Sequence, residues 1–239
     1  MAWLMSVPTD RNPRIIVAEI ACRILKENII NKSGFRPKLS NQKLKELTQH
    51  LNSCVQKLKY SYLPDDELIN NETTEDIKNT AKTIYDAVYD AYHGRSESGA
   101  IKKRGVQEST VLWATKLLMR FPERLVEKFR HTIEAGIDMQ VVGIRNIVQI
   151  SDSKLFVSKV YNGDDDFTVV TNLQTLKPGM RVGVAFLPPV LIGGEVSEAM
   201  YLGDKEYPED TEYGTYIYSD AEFGEVRNIL KQEFMKKGK

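Results

Sequence analysis

Side chains that could bind a metal or move a proton are sparse in this chain. Its three histidines, His50, His93 and His131, read as lone side chains without a ligand-spaced second His or Cys, so no metal is expected. Cys22 and Cys54 lie far apart in helix-like segments, which fits buried thiols better than a disulfide framework. Asp164-Asp165-Asp166 follows Gly163 and reads as a hairpin tip, lacking the further ligands and spaced glutamate of a calcium loop. Gly193-Gly194 has no accompanying Lys and Ser/Thr to make a phosphate loop, and no nucleophile–base arrangement stands out. The expectation is a binding protein rather than an enzyme, with no catalytic residue and no cofactor.

Charge is the next candidate for chemistry. Lys and Arg total 33 against 33 Asp and Glu, but residues 1–136 carry an excess of five positive charges while 137–203 and 204–239 are net negative by two and three. Any field that attracts phosphate must therefore come from local clusters or from the first half of the chain. Lys102-Lys103-Arg104, flanked by glycines, is a candidate second basic surface, and Arg120, Arg124, Lys128 and Arg130 fall along one helical stretch. No run of about 18 apolar residues is present and the opening lacks a secretion signal's charged start. No membrane association is expected, and the localisation is read as cytoplasmic.

The elements that must position these residues fall into two kinds. From Asn12 to Gly136 apolar residues recur at three and four positions, the spacing of helices with one buried face. Pro13 suits a first helical turn, with Ile16, Ile20, Ile24 and Ile30 as an inner stripe. Ser40 caps a second helix with the stripe Leu44, Leu47, Leu51, Val55 and Leu58, and Pro64-Asp65-Asp66 breaks the chain. A third helix begins at Thr73 or Thr74 and presents Ile77, Ala81, Ile84, Val88 and Tyr92. Helical pattern resumes at Val111, with a kink or second start at Phe121-Pro122, giving about five helices in all. After Gly136 short β-branched runs separated by turns read as five strands, and Asp220 to Lys237 as a terminal helix.

The β-rich segment carries a family likeness. Phe186-Leu187-Pro188-Pro189-Val190-Leu191-Ile192-Gly193-Gly194-Glu195-Val196-Ser197-Glu198-Ala199-Met200 resembles the signature of the tRNA-binding domain family, in which a strand and a proline-containing bend precede Ser-Glu-Gly-Met. Upstream, Val142-Gly143 resembles the family's first strand, and Ser153-Lys154-Leu155 with Val157, Val160 and Gly163 its second. Phe167–Leu173 and Lys177–Ala185 follow in the same order. This sequence has Gln149-Ile150 where the family has His-Pro, Thr171-Asn172 for its Ser/Cys-Gly pair, and Ala199 for the glycine of the signature. Members include the C-terminal appendix of methionyl-tRNA synthetases, small stand-alone dimers and the animal synthetase cofactor.

The helical spacing gives an N-terminal α-helical bundle over 1–136, and the patterning at the end gives a C-terminal extension with a helix over 204–239. The resemblance adds an OB-fold β-barrel over 137–203, making an α+β protein. It also implies binding of tRNA or structured RNA, by a tRNA carrier or an aminoacyl-tRNA synthetase accessory factor. The implied contacts are Arg145, Lys154, Lys159, Asn172, Arg181, Ser197, Glu198 and Met200, with cations meeting phosphates and the signature residues lining the face. Glu198 has an equal alternative in holding its own loop, Met200 in the barrel core, and Lys154 and Lys159 as solvated strand residues. A homodimer is also in view, through Tyr213–Tyr218 or the last helix. Two rivals stay open: a protein-docking module for a synthetase or another translation factor, and an RNA-processing enzyme with its site among the helices.

Overall fold

The computed structural model describes residues 8–30, 37–93, 105–126, 132–217 and 224–235. Helix α1 (Pro13–Ile30) starts at the proline, and Asn12 Oδ1 accepts the Arg14 N–H at 3.0 Å, supplying a partner for a donor the first turn leaves unpaired. It is buried on more than one face: Ile15, Val17, Ala21, Leu25 and Ile29 join Ile20 and Ile24 inside, while Ile16 is only half-buried. The single stripe expected for α1 fails for a packing reason. The helix contacts α2 (Asn41–Lys59), α6 (Phe121–Val126) and two 3-10 turns, Thr9–Arg11 and Ile133–Gly136.

Helix α2 does follow its pattern. Ser40 Oγ accepts the Lys43 N–H at 3.2 Å, and Leu44, Leu51, Val55 and Leu58 are buried, with Leu47 half-buried at the border. Lys59 Nζ bonds Glu19 of α1 at 3.0 Å. Burial works against the Lys59 charge, yet the Glu19 partner outweighs it and raises the ammonium above its ordinary value. After Pro64 the chain does not simply break, because three acidic residues in one turn suit a helix start and form the short α3 (Asp65–Ile69). Helix α4 (Glu72–His93) buries Ile77, Ala81, Ile84 and Val88. Helix α5 (Val106–Met119) ends before Phe121-Pro122, where α6 makes a second start. Among the described residues this gives six helices before the strands.

The chain divides into two compact units: one holds α1–α4, α5 from Thr110 and α6; the other holds the strands, α5 up to Ser109 and helix α7 (Gly224–Met235) up to Gln232. The strands are β1 (Met139–Gln149), β2 (Phe156–Tyr161), β3 (Asp166–Thr171), β4 (Arg181–Ala185), β5 (Val190–Ile192), β6 (Glu195–Ser197) and β7 (Met200–Glu206). Five form one antiparallel sheet in the order β3-β2-β1-β4-β7, and β5 pairs only with β6. The α+β class is as expected, but the barrel is not closed: β3 and β7 are the sheet's edges and share no ladder among the described residues. Two extra strands arise because Gly193 and Gly194, at φ +58° and +82°, provide the two left-handed positions of a tight hairpin between Ile192 and Glu195.

One face of the sheet forms the core. Val142, Ile144, Val160, Phe167, Val169, Val182, Val184 and Tyr201 are buried together, with the Phe186 ring packed at a tilt against Phe167, 4.9 Å between ring centroids. The segment after β7 is part of this sheet. Val141 and Met139 exchange main-chain bonds with Gly214, Thr215 and Ile217 at 2.8–3.0 Å, so residues 213–217 run along the start of β1 as a strap. Tyr213 packs against Gly143, where any Cβ would sit 2.8 Å from its ring.

Within the core the Ser158 hydroxyl donates to the Val169 carbonyl at 2.9 Å and lies 2.7 Å from the Tyr201 hydroxyl. Burial pushes the Tyr201 phenol up to about 12. The unfolded chain, with an ordinary phenol near pH ~10, loses this proton first as pH rises. The stabilisation is thus complete below pH ~10 and is lost as pH climbs through about 12. In urea unfolding across pH 9 to 11.5, wild type is expected to lose stability more steeply than Tyr201→Phe; parallel slopes would contradict the assignment.

Candidate nucleic-acid interface

The register of β1, β2 and β3 sorts their side chains onto two faces. Asn146 stands opposite Lys159, and Lys159 opposite Thr168; Val148 stands opposite Val157, and Tyr161 opposite Asp166. These residues share the face turned away from the core. A bulge between Ile144 and Asn146 lets Arg145 onto the same face, where its guanidinium lies 4.4 Å from the Tyr161 ring centroid and 2.9 Å from Asp166 Oδ1. Lys159 Nζ donates to Thr168 Oγ1 at 2.6 Å. The result is a cation–aromatic–cation surface with one acidic counter-charge.

The ends of this face are loops. Lys154 is exposed in the β1–β2 turn, which shapes a shallow open pocket from Gln149 to Lys154. The β5–β6 hairpin tip packs against that turn, since a Cβ at Gly193 would meet Ile150 Cδ1 at 3.2 Å and Leu155 Cδ1 at 3.4 Å. Val148, Val190 and Leu191 leave half or more of their surface in solvent at this end.

The other expected contacts lie elsewhere in the unit. Arg181 stacks on Tyr213, 4.5 Å from its ring centroid, and donates to the Thr211 carbonyl, so it fastens the strap. Asn172 is exposed just after β3, and Met200 is half-buried at the start of β7, opposite Ala185. Ser197 and Glu198 serve the β3 edge. Glu198 N–H donates to Thr168 O at 2.8 Å while Glu198 Oε2 accepts the Thr168 N–H at 3.0 Å. Ser197 Oγ accepts the Val170 N–H at 3.0 Å and donates to Ala199 O at 2.9 Å. The second Glu198 oxygen accepts from Ser109 Oγ at 3.0 Å. These bonds explain why β3 and β7 need no ladder: side-chain oxygens replace the missing strand. Ala199 fits the signature's glycine position because, among the described residues, only Tyr62 and Asp152 are non-glycines at positive φ.

Comparison with known proteins adds the following. The alpha helical domain family matches residues 5–133. The chain belongs to the alpha helical domain family. No curated protein matches it. Among solved structures, the crystal structure of a MetRS related protein from Pyrococcus horikoshii is similar at 20% identity, over 34% of this chain and 90% of that one, with a TM-score of 0.33.

Of the basic residues expected to form a surface in the first half of the chain, the structure describes Arg120 and Arg124. Lys102, Lys103 and Arg104, like Lys128 and Arg130, lie outside the described residues. Arg124 is buried and donates to the Leu117 carbonyl near the end of α5, so it does not belong to an exposed basic row. The reading of three lone histidines also needs correction: His50 and Cys54 are one helical turn apart on α2, and Asp76 of α4 joins them. The turn spacing was present in the chain as i and i+4; only the packing of α4 on α2 reveals the aspartate. Burial above all, and then Asp76, pushes the Cys54 thiol up to about 11, so at neutral pH it is a protonated donor rather than a nucleophile. On the sheet, sequence reasoning missed Tyr161 and Asp166, whose role depends on strand register.

Ser197→Ala leaves the buried Val170 N–H without its acceptor and is expected to cost about 1–3 kcal/mol in urea unfolding, with Val170 exchanging its amide proton faster. Glu198→Gln keeps an acceptor for Thr168 and is expected to cost less than Glu198→Ala. Equal stability of Ser197→Ala and wild type would show that this edge does not depend on the serine.

Proposed function

We propose that the second unit is a partly open oligonucleotide-binding barrel that takes structured RNA of the tRNA class on the outer face of β1–β2–β3. On this reading the protein acts without catalysis, as a tRNA carrier or an accessory factor to an aminoacyl-tRNA synthetase. The observation that carries the reading is the placement of Arg145, Lys159 and Tyr161 on one exposed face, bounded by the Lys154 turn and the β5–β6 hairpin. In small barrels of this kind the second and third strands and the loops flanking them are where oligonucleotides lie. Cations there meet phosphates, and an aromatic ring offers a base a stacking partner.

The collinear resemblance over residues 139–203 gives the RNA class. The exposed Arg145–Asp166 pair does not oppose it: a half-exposed ion pair contributes about 0–1 kcal/mol, so a phosphate can replace the carboxylate at small cost. Exposed Val148, Val190 and Leu191 favour a second reading, in which the same end of the face docks a protein of the translation apparatus.

Salt-titrated binding to bulk tRNA, duplex RNA and single-stranded RNA separates the two. Selective tRNA binding is expected, with log affinity falling linearly in log salt, and Lys154→Glu and Lys159→Glu each lowering the slope by about 1. Lys45→Glu on α2, an equal change of net charge, is expected to leave tRNA binding near wild type. Asp166→Asn is expected to strengthen it by freeing Arg145. Binding no better than that of a neutral control protein would exclude the RNA reading for the isolated chain.

A further inference from the structure

His50 and Cys54 on α2 and Asp76 on α4 converge on a groove in the helical unit that is also lined by Lys57, Glu72 and Glu75. His50 Nε2 is 2.8 Å from Asp76 Oδ2, and Cys54 Sγ is 3.6 Å from each. One atom of each residue thus lies within 4.8 Å of both others. We infer that these three residues form a binding site for a borderline-soft divalent cation of the Zn2+ class, with solvent completing the coordination.

The distances support a metal more than a nucleophile. In a Cys-His-Asp relay the carboxylate would hold one imidazole nitrogen and the thiol would face the other. Here the thiol and the carboxylate both meet the same nitrogen, Nε2. Four-coordinate zinc has bonds of about 2.3 Å to sulfur and about 2.0–2.1 Å to nitrogen or oxygen, which sets its ligands about 3.3–3.6 Å apart at tetrahedral angles. Both sulfur separations already match, and only the His50–Asp76 hydrogen bond must open, by roughly 0.5 Å on that geometry.

The ligand set also selects the ion. Thiolate and imidazole suit zinc, cobalt and copper, whereas calcium and magnesium prefer all-oxygen shells. The His50 and Asp76 side chains are each about half-exposed, at 49% and 50%, so an ion can reach them, while Cys54 is at the buried floor. Binding replaces the thiol proton, which leaves to solvent as the sulfur–metal bond forms. Asp76 then exchanges its contacts with His50 and Cys54 for one with the cation.

The test is titration of the full, tag-free, chelator-stripped protein with Co2+ and then Zn2+, read by absorbance and equilibrium dialysis. One Co2+ per chain is expected, with a thiolate-to-cobalt band in the near ultraviolet that Zn2+ displaces and excess Mg2+ does not. Cys54→Ser is expected to abolish the band, Cys22→Ser to leave it unchanged, and His50→Gln or Asp76→Asn to weaken uptake about tenfold or more. Both of the latter change half-exposed side chains, and circular dichroism monitors their folding. Absence of a band in wild type, its survival in Cys54→Ser, or undiminished uptake in both His50→Gln and Asp76→Asn would overturn the site.

Discussion

A sheet that curls without closing leaves main-chain donors along its edge, and in this protein the β3 edge is satisfied by the side chains of Ser197 and Glu198. Buried N–H groups at Thr168 and Val170 would otherwise lack partners, at the cost of desolvation without a bond. The arrangement fixes β3 against the β6–β7 connection and holds the outer side of β2 and β3 as one surface. It also explains why the two signature residues are turned inward toward the backbone. Their side-chain oxygens hold the β3 backbone.

That face has a small electrostatic reserve. Lys159 and Arg145 are positioned by neutral and acidic neighbours, Thr168 and Asp166, and Tyr161 lies beneath the guanidinium. Charges held in this way lose less freedom when an anion arrives than free lysines would. On the proposed reading, affinity from so few cations would be modest and strongly screened by salt.

How far the chain could be read varies with how local each signal is. The Ser40 cap, the Pro13 start and the stripe of α2 depend on neighbours within a few residues and were legible. The role of α1 was not, since a helix at the centre of its unit has no single apolar stripe to display. The signature loop was legible as a motif, but the destination of Glu198 depended on β3, thirty residues earlier in the chain. Likewise His50 and Cys54 announced a turn of helix while Asp76 came from a different one. Arg124 shows the converse, a residue that joins a basic run in the sequence and sits inside the fold.

The strap of residues 213–217 has a consequence for the order of synthesis. Its bonds to Met139 and Val141 join positions more than seventy residues apart, so the first part of β1 stays half-dressed until Ile217 has left the ribosome. During translation the helical unit can collapse from contacts made early, while the sheet waits for its last contributor. A nascent chain stalled before the strap would present a bare β edge to its neighbours on a polysome, a ready template for intermolecular pairing.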